Sequence, residues 1–225
     1  MSHTFSLVDS LSLSDLQVFL SRAQRVEDGS VRLIAGSGVL AVYVAVLVPA
    51  GLLDESPTVL GLRTFALTST DSFDAVVPVR SLLERINRLQ GGVVDPTAPV
   101  VVSLPMQVNT VTWAAISPPR GGWKSLESVD GLLLESVAKS GIDEVAAAIP
   151  TGTGEQIVQR VRSEVWGDPI AGLEYVPAGA AFAGFSLGFL GGKDPVRIYE
   201  TGPWTRLSTE RGHVLVKRRS WSLQR

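Results

Sequence analysis

The chain has 225 residues, a net charge of −2 and a mean hydropathy of +0.24, with 45% hydrophobic and 19% charged residues. It contains no cysteine and two histidines, His3 and His213. That excludes disulfides, thiolate metal sites, iron–sulfur clusters and cysteine nucleophiles, and it sends histidine acid–base chemistry inside the chain through His213. A chain of this size buries a core without staples, as one large domain or two small ones.

The first 28 residues hold a short strand at 3–8 and then Ser14-Asp15-Leu16-Gln17, a capping-box pattern followed by Leu16, Phe19, Leu20 and Ala23 at helical spacing. This predicts a helix over 14–27. Residues 30–35 and 39–48 read as two strands joined at Gly36-Ser37-Gly38, the second buried on both faces, and strands follow at 58–67 and 73–77. Pro78 stands ahead of a second amphipathic helix at 79–90, which places Leu82, Leu83, Ile86 and Leu89 on one face and ends at Gly91-Gly92. Strands at 99–104 and 110–116 complete an order β-α-β-β-β-β-α-β-β. Two helices over a largely antiparallel sheet make an α+β domain, expected over 1–117.

Ser117-Pro118-Pro119-Arg120-Gly121-Gly122 has linker composition. Beyond it the apolar periodicity turns helical: Val129 to Val137 up to Gly141, Ile142 to Ile149 up to Pro150, Ile157 to Val165, and 178–190 with Phe182, Phe185 and Phe189. Short strands at 196–199, 204–207 and 213–217 close the chain. The expected second domain, 123–225, is therefore mainly helical and ends in a small basic β-hairpin or meander. No internal repeat is visible, and the second half does not read as a copy of the first.

Sixteen arginines stand against four lysines, which reads as the composition of a high-GC genome rather than selection for bidentate contacts. From Arg206 onward six basic residues face Glu210 alone, so the tail carries +5 and the first 205 residues −7. The N-terminus lacks a charged segment followed by an apolar run. The most apolar stretch, 39–53, is broken by Pro49 and Gly51 and falls short of the roughly 20 residues that span a bilayer. The expectation is a soluble cytoplasmic protein with no membrane partner.

The motifs offer little catalysis. Gly184-Phe185-Ser186-Leu187-Gly188 matches G-x-S-x-G, with Asp194 and His213 following in hydrolase order, but Ser186 lies in an Ala/Phe-rich stretch that reads as helix rather than as a strand-to-helix turn. Thr151-Gly152-Thr153-Gly154 opens a helix without the Lys-Ser/Thr of a phosphate loop. Asp54-Glu55 and Asp143-Glu144 are adjacent pairs whose side chains diverge, and no metal-ligand spacing is present. No cofactor is implied. The densest constellation runs from Gly202 to Arg219: Arg206, Arg211, Lys217, Arg218 and Arg219 are the candidate anion or nucleic-acid ligands, with Trp204 as an exposed aromatic among them.

Two resemblances accompany these residues. Arg22 and Arg25 on the first helix and Arg80, Arg85 and Arg88 on the second oppose the apolar stripes and face solvent. Two such helices on one face of an antiparallel sheet, in an acidic chain, resemble a single domain of a DNA sliding clamp over about half the chain, from which the second half departs. The blocks Pro118-Pro119-Arg120-Gly121-Gly122-Trp123 and Arg211-Gly212-His213-Val214-Leu215-Val216 resemble an uncharacterised actinobacterial family, which implies no activity. The resulting expectation is a non-enzymatic binding or assembly protein with a protein partner or self-association. The alternatives are nucleic-acid binding through the basic hairpin and, more distantly, a serine hydrolase through Ser186.

Overall fold

A computed structural model describes residues 3–49, 51, 54, 56–150 and 152–218. The chain packs as two compact units, the first of residues 1–45 and 62–117, the second of 46–61 and 118–225. The fold class is α+β, with five α-helices among the described residues.

The first unit begins with β1 (Thr4–Leu7) and α1 (Ser10–Val26). The helix starts four residues before the predicted one because Asp9, not Ser14, caps it, its Oδ1 accepting from the Ser12 N–H at 2.7 Å. Ser14 lies inside the helix, where its hydroxyl donates to the Ser10 carbonyl. Strands β2 (Ser30–Gly36), β3 (Val39–Leu47), β4 (Thr58–Ala66) and β5 (Phe73–Pro78) follow, then α2 (Val79–Gln90) and β6 (Val100–Ser103).

The sheet order in this unit is β5-β2-β3-β4, and β1 pairs antiparallel with β6. Contrary to the two-sided burial read from its sequence, β3 alternates over most of its length. Leu40, Val42 and Val44 are buried with Val31, Leu33, Ala35, Ala75 and Val77, while the residues between them are partly exposed. The apolar stripes Leu13, Leu16, Phe19, Leu20 and Ala23 of α1 and Leu82, Leu83 and Ile86 of α2 complete this core. Arg22, Arg25, Arg80 and Arg88 are exposed as the helical pattern predicts, Arg85 is half-buried, and Arg80 pairs with Asp28 at 2.6 Å.

The strand expected at 110–116 is instead a 3-10 turn at Thr112–Ala115. Trp113 and its neighbour Ala114 are both buried, which an alternating strand cannot achieve and a tight helical turn can.

The second unit is less helical than its sequence suggests. It contains β7 (Lys124–Asp130), α3 (Gly131–Ala148), α4 (Glu155–Gly167), β8 (Pro169–Ile170), β9 (Leu173–Pro177), α5 (Ala178–Ser186), β10 (Pro195–Thr201), β11 (Trp204–Ser208) and β12 (His213–Lys217). Its main sheet is antiparallel in the order β12-β11-β10-β7. Val129, Val196, Ile198, Leu207, Val214 and Val216 are buried together with Leu134 and Ala138 of α3 and Ala180, Ala181 and Ala183 of α5.

Two predicted helices merge into α3 because Gly141 does not end a helix. A Cβ there would stand 2.3 Å from the Trp166 ring, so the glycine is the groove into which α4 seats its tryptophan. The last helix stops at Ser186, four residues before the predicted end, and Gly188 adopts φ 74° just beyond it.

Candidate functional site

Period-two alternation sorts the second unit's sheet into a helix-covered face and a more open one, on which Leu215 of β12 is nonetheless buried. Arg197 and Tyr199 of β10, Arg206 and Ser208 of β11, and His213 of β12 share the open face, registered as Tyr199 opposite Arg206 and as Arg197 opposite Ser208 opposite His213. The register follows from the connection: Gly202, at φ 52°, and Pro203 form a two-residue loop that pairs Thr201 with Trp204.

Arg206 is the centre of this face. Its guanidinium carbon lies 4.5 Å from the Trp123 ring centroid and 4.5 Å from the Tyr199 centroid. Trp123 is fixed by donation from its indole Nε1 to the Pro119 carbonyl at 3.1 Å, so the Pro/Gly segment before β7 acts to place an aromatic ring against the arginine. Arg206 Nε is enclosed without a hydrogen-bond partner, and no carboxylate pairs with the guanidinium among the described residues. Burial pulls the Arg206 pKa down while Tyr199 acts the other way, though a guanidinium stays cationic under any ordinary condition.

Beside Arg206 the surface dips into a hollow of about 430 Å³, lined among others by Arg197, Arg211, Ser208, His213, Asp194 and Glu210. His213 Nδ1 lies 3.0 Å from Ser208 Oγ. Burial first, and then the Arg206 charge, hold the His213 pKa below its usual value, which favours the neutral ring. A neutral ring that accepts the Ser208 hydroxyl at Nδ1 carries its proton on Nε2.

Of the residues picked from sequence, Arg206 and Arg211 share the hollow, with Arg211 Nη1 donating to the Leu190 carbonyl at 3.5 Å. Lys217 is exposed at the end of β12. Arg218 turns away, donating to the Gly202 carbonyl at 2.9 Å with Glu200 at 3.8 Å. Arg219 lies outside the described residues. Trp204, read as an exposed aromatic, is 5% exposed and packs into the unit. Ser186 closes α5 rather than standing on a strand-to-helix turn, and among the described residues the hydroxyl bonded to His213 is that of Ser208.

Sequence reasoning passed over Arg197, Tyr199 and Trp123. Counting outward from the Gly202-Pro203 turn places Tyr199 across from Arg206, so one of the two aromatic partners was legible. No group of three or more His, Asp or Glu residues able to hold a metal ion occurs among the described residues. No described helix is long and apolar enough to cross a membrane.

Residues 1–105 match the family model described as a domain of unknown function, DUF8010. Residues 118–221 match a second, the domain of unknown function DUF8185. No curated protein matches the chain in sequence. The fold is sliding-clamp-like. The DNA polymerase sliding clamp of Caulobacter crescentus is similar at a TM-score of 0.50 and 13% identity, over 98% of this chain and 66% of that one. The DnaN clamp of Bartonella birtlesii, solved with griselimycin, is similar at 0.51 and 14%, over 100% and 67%. The DNA polymerase III beta subunit of Thermotoga maritima is similar at 0.50 and 12%, over 99% and 66%.

The likeness therefore runs through nearly the whole chain. This corrects the expectation that only the first half resembles a clamp: the second half departs in helix number, yet it too lays helices over an antiparallel sheet. The chain spans about two thirds of the length of these clamps.

Proposed function

We propose that this protein acts by binding rather than by catalysis, as a component of an assembly with a protein partner or with further copies of itself, and that the open face of the second unit's sheet is its contact surface. The observation that carries this reading is the Trp123–Arg206–Tyr199 stack. Tryptophan, tyrosine and arginine are the residues that dominate binding energy at protein interfaces, and here they are assembled and ordered in advance. The similar solved structures are described as DNA polymerase subunits and sliding clamps, which supports membership in an assembly.

A photo-crosslinking residue at Ser128, which lies opposite Arg197 on β7 and is exposed, tests the surface. It is expected to yield a discrete adduct with a partner or a second copy in the protein's native cells. The same group at Lys139 on α3, exposed on the helix side, should yield none. Equal yields from both positions, or none from Ser128, would reject the surface.

Nucleic-acid binding by the basic tail is the second reading, favoured by the exposed Arg211 and Lys217 and the unneutralised Arg206. Such binding rests on counterion release and is strongest at low salt. The intact protein is then expected to retain DNA or RNA at about 50 mM salt and to lose it steeply as salt rises. Absence of retention there eliminates this reading.

A further inference from the structure

We propose that the hollow beside Arg206 binds a single phosphate-type oxyanion, free or as the terminal group of a small phosphorylated molecule, with Arg206 as principal ligand and Arg197 and His213 Nε2 as flanking donors. The proposal deepens the reading of this face as a contact surface and rests on it.

The first ground is an uncompensated charge. Removing a guanidinium from water without an acceptor is unfavourable, and an enclosed polar group left unsatisfied in a folded protein marks a partner still to be supplied. The Arg206 guanidinium lies against both Trp123 and Tyr199, its Nε is enclosed without an acceptor among the described residues, and the partly exposed side chain borders the hollow. Both ring centroids lie 4.5 Å from the guanidinium carbon, which restrains the side chain before any ligand arrives.

The second ground is the donor set around it. Arg197 is exposed on the adjacent strand with no ion pair or hydrogen bond among the described residues. His213 borders the hollow as well, and a neutral ring that accepts the Ser208 hydroxyl at Nδ1 carries its N–H on Nε2. Three donors from the adjacent strands β10, β11 and β12 border one hollow, more than a planar carboxylate served by one guanidinium fork requires.

The third ground is the acidic lining. Asp194 and Glu210 also border the hollow. Their carboxylates form no ion pair with its arginines among the described residues, so they leave Arg206 and Arg197 available. They oppose any anion, so a single one held by Arg206 and Arg197 is favoured over a strand whose further phosphates meet the carboxylates without a cation.

The chain's two histidines make the test direct. In proton–carbon spectra of the whole protein, adding inorganic phosphate is expected to shift the His213 ring resonances and leave those of His3, which lies in the first unit, unmoved. The groups facing His213 across the hollow are Arg197, Arg206, Arg211, Asp194, Glu210 and Tyr199. A dianion among them stabilises the protonated ring, so a pH titration with phosphate should raise the His213 midpoint by about one unit.

Arg206→Gln is expected to weaken the response at least about tenfold, as loss of a charge-assisted contact does. Arg197→Gln removes a partner-free exposed side chain, cannot act through misfolding, and should weaken it several-fold. A sugar phosphate that saturates the shift at lower concentration than inorganic phosphate identifies a phosphorylated small molecule, and equal saturation identifies the free ion; both support the site. An unmoved His213 in phosphate, a shift undiminished in both variants, or a response to an oligonucleotide but not to phosphate overturns it. Loss of the phosphate response with the Ser128 adduct retained rejects the anion site and leaves the contact surface standing.

Discussion

Trp166→Ala is expected to lower the unfolding free energy by about 3–5 kcal/mol, the usual range for removing a buried tryptophan. The side chain is 3% exposed and stacks on Phe182 with centroids 4.3 Å apart and an interplanar angle of 17°. It also fills the space that Gly141 leaves on α3, where an added Cβ would meet ring atoms at 2.3 and 2.7 Å. Truncation thus empties a volume shaped from both sides, which close-packed neighbours cannot refill at low cost. Denaturant unfolding followed in the second unit should show the midpoint falling sharply. A change within about 0.5 kcal/mol, typical of a surface substitution, would mean that α4 does not seat on α3 in this way.

Phe189→Ala is the second large effect, again about 3–5 kcal/mol, and it reaches the site as well as the fold. Phe189 is 1% exposed, borders the hollow, and supports the turn between β11 and β12 from beneath. A Cβ on Gly212 would lie 2.5–2.8 Å from three of its ring atoms. That turn is otherwise held by Thr209, whose N–H and hydroxyl both donate to the Gly212 carbonyl at 3.0 and 3.2 Å. Without the ring, Arg211 and His213 lose the platform that positions them. Phosphate-induced shifts of His213 should then weaken along with stability, and a destabilised variant with an unaltered His213 response would show that the hollow does not depend on this packing.

The first half was legible because its signals agree. Alternation in β2 and β5, a proline ahead of α2 and a glycine pair after it all say the same thing, and α2 occupies the residues its sequence predicts. The second half was harder for physical reasons that can be named. β7 has most of its side chains exposed at the sheet edge, so Lys124 to Asp130 carries no apolar alternation to read. Gly141 breaks a helix in local propensity but joins one in the fold, because tertiary packing against Trp166 outweighs the roughly 1 kcal/mol it loses relative to alanine. β8 is two residues long, too short for periodicity to register.

The site was legible in its cations and not in its aromatics. Charge counting found Arg206 and Arg211, but which tryptophan is exposed depends on which face of β11 turns inward, and Trp204 is buried while Trp123, from a segment of linker composition, covers the arginine. Nothing local to residues 118–123 announces that role.

An assembly held through the open face of this sheet is expected to show in the native mass of the chain in an extract of its own cells. Size-exclusion with detection of the chain should place the wild type well above its 23.9 kDa. Arg197→Glu, which reverses an exposed charge on that face without touching the core, should return it to the monomer position. A wild-type chain that elutes as a monomer, or a complex that Arg197→Glu leaves intact, would contradict the account.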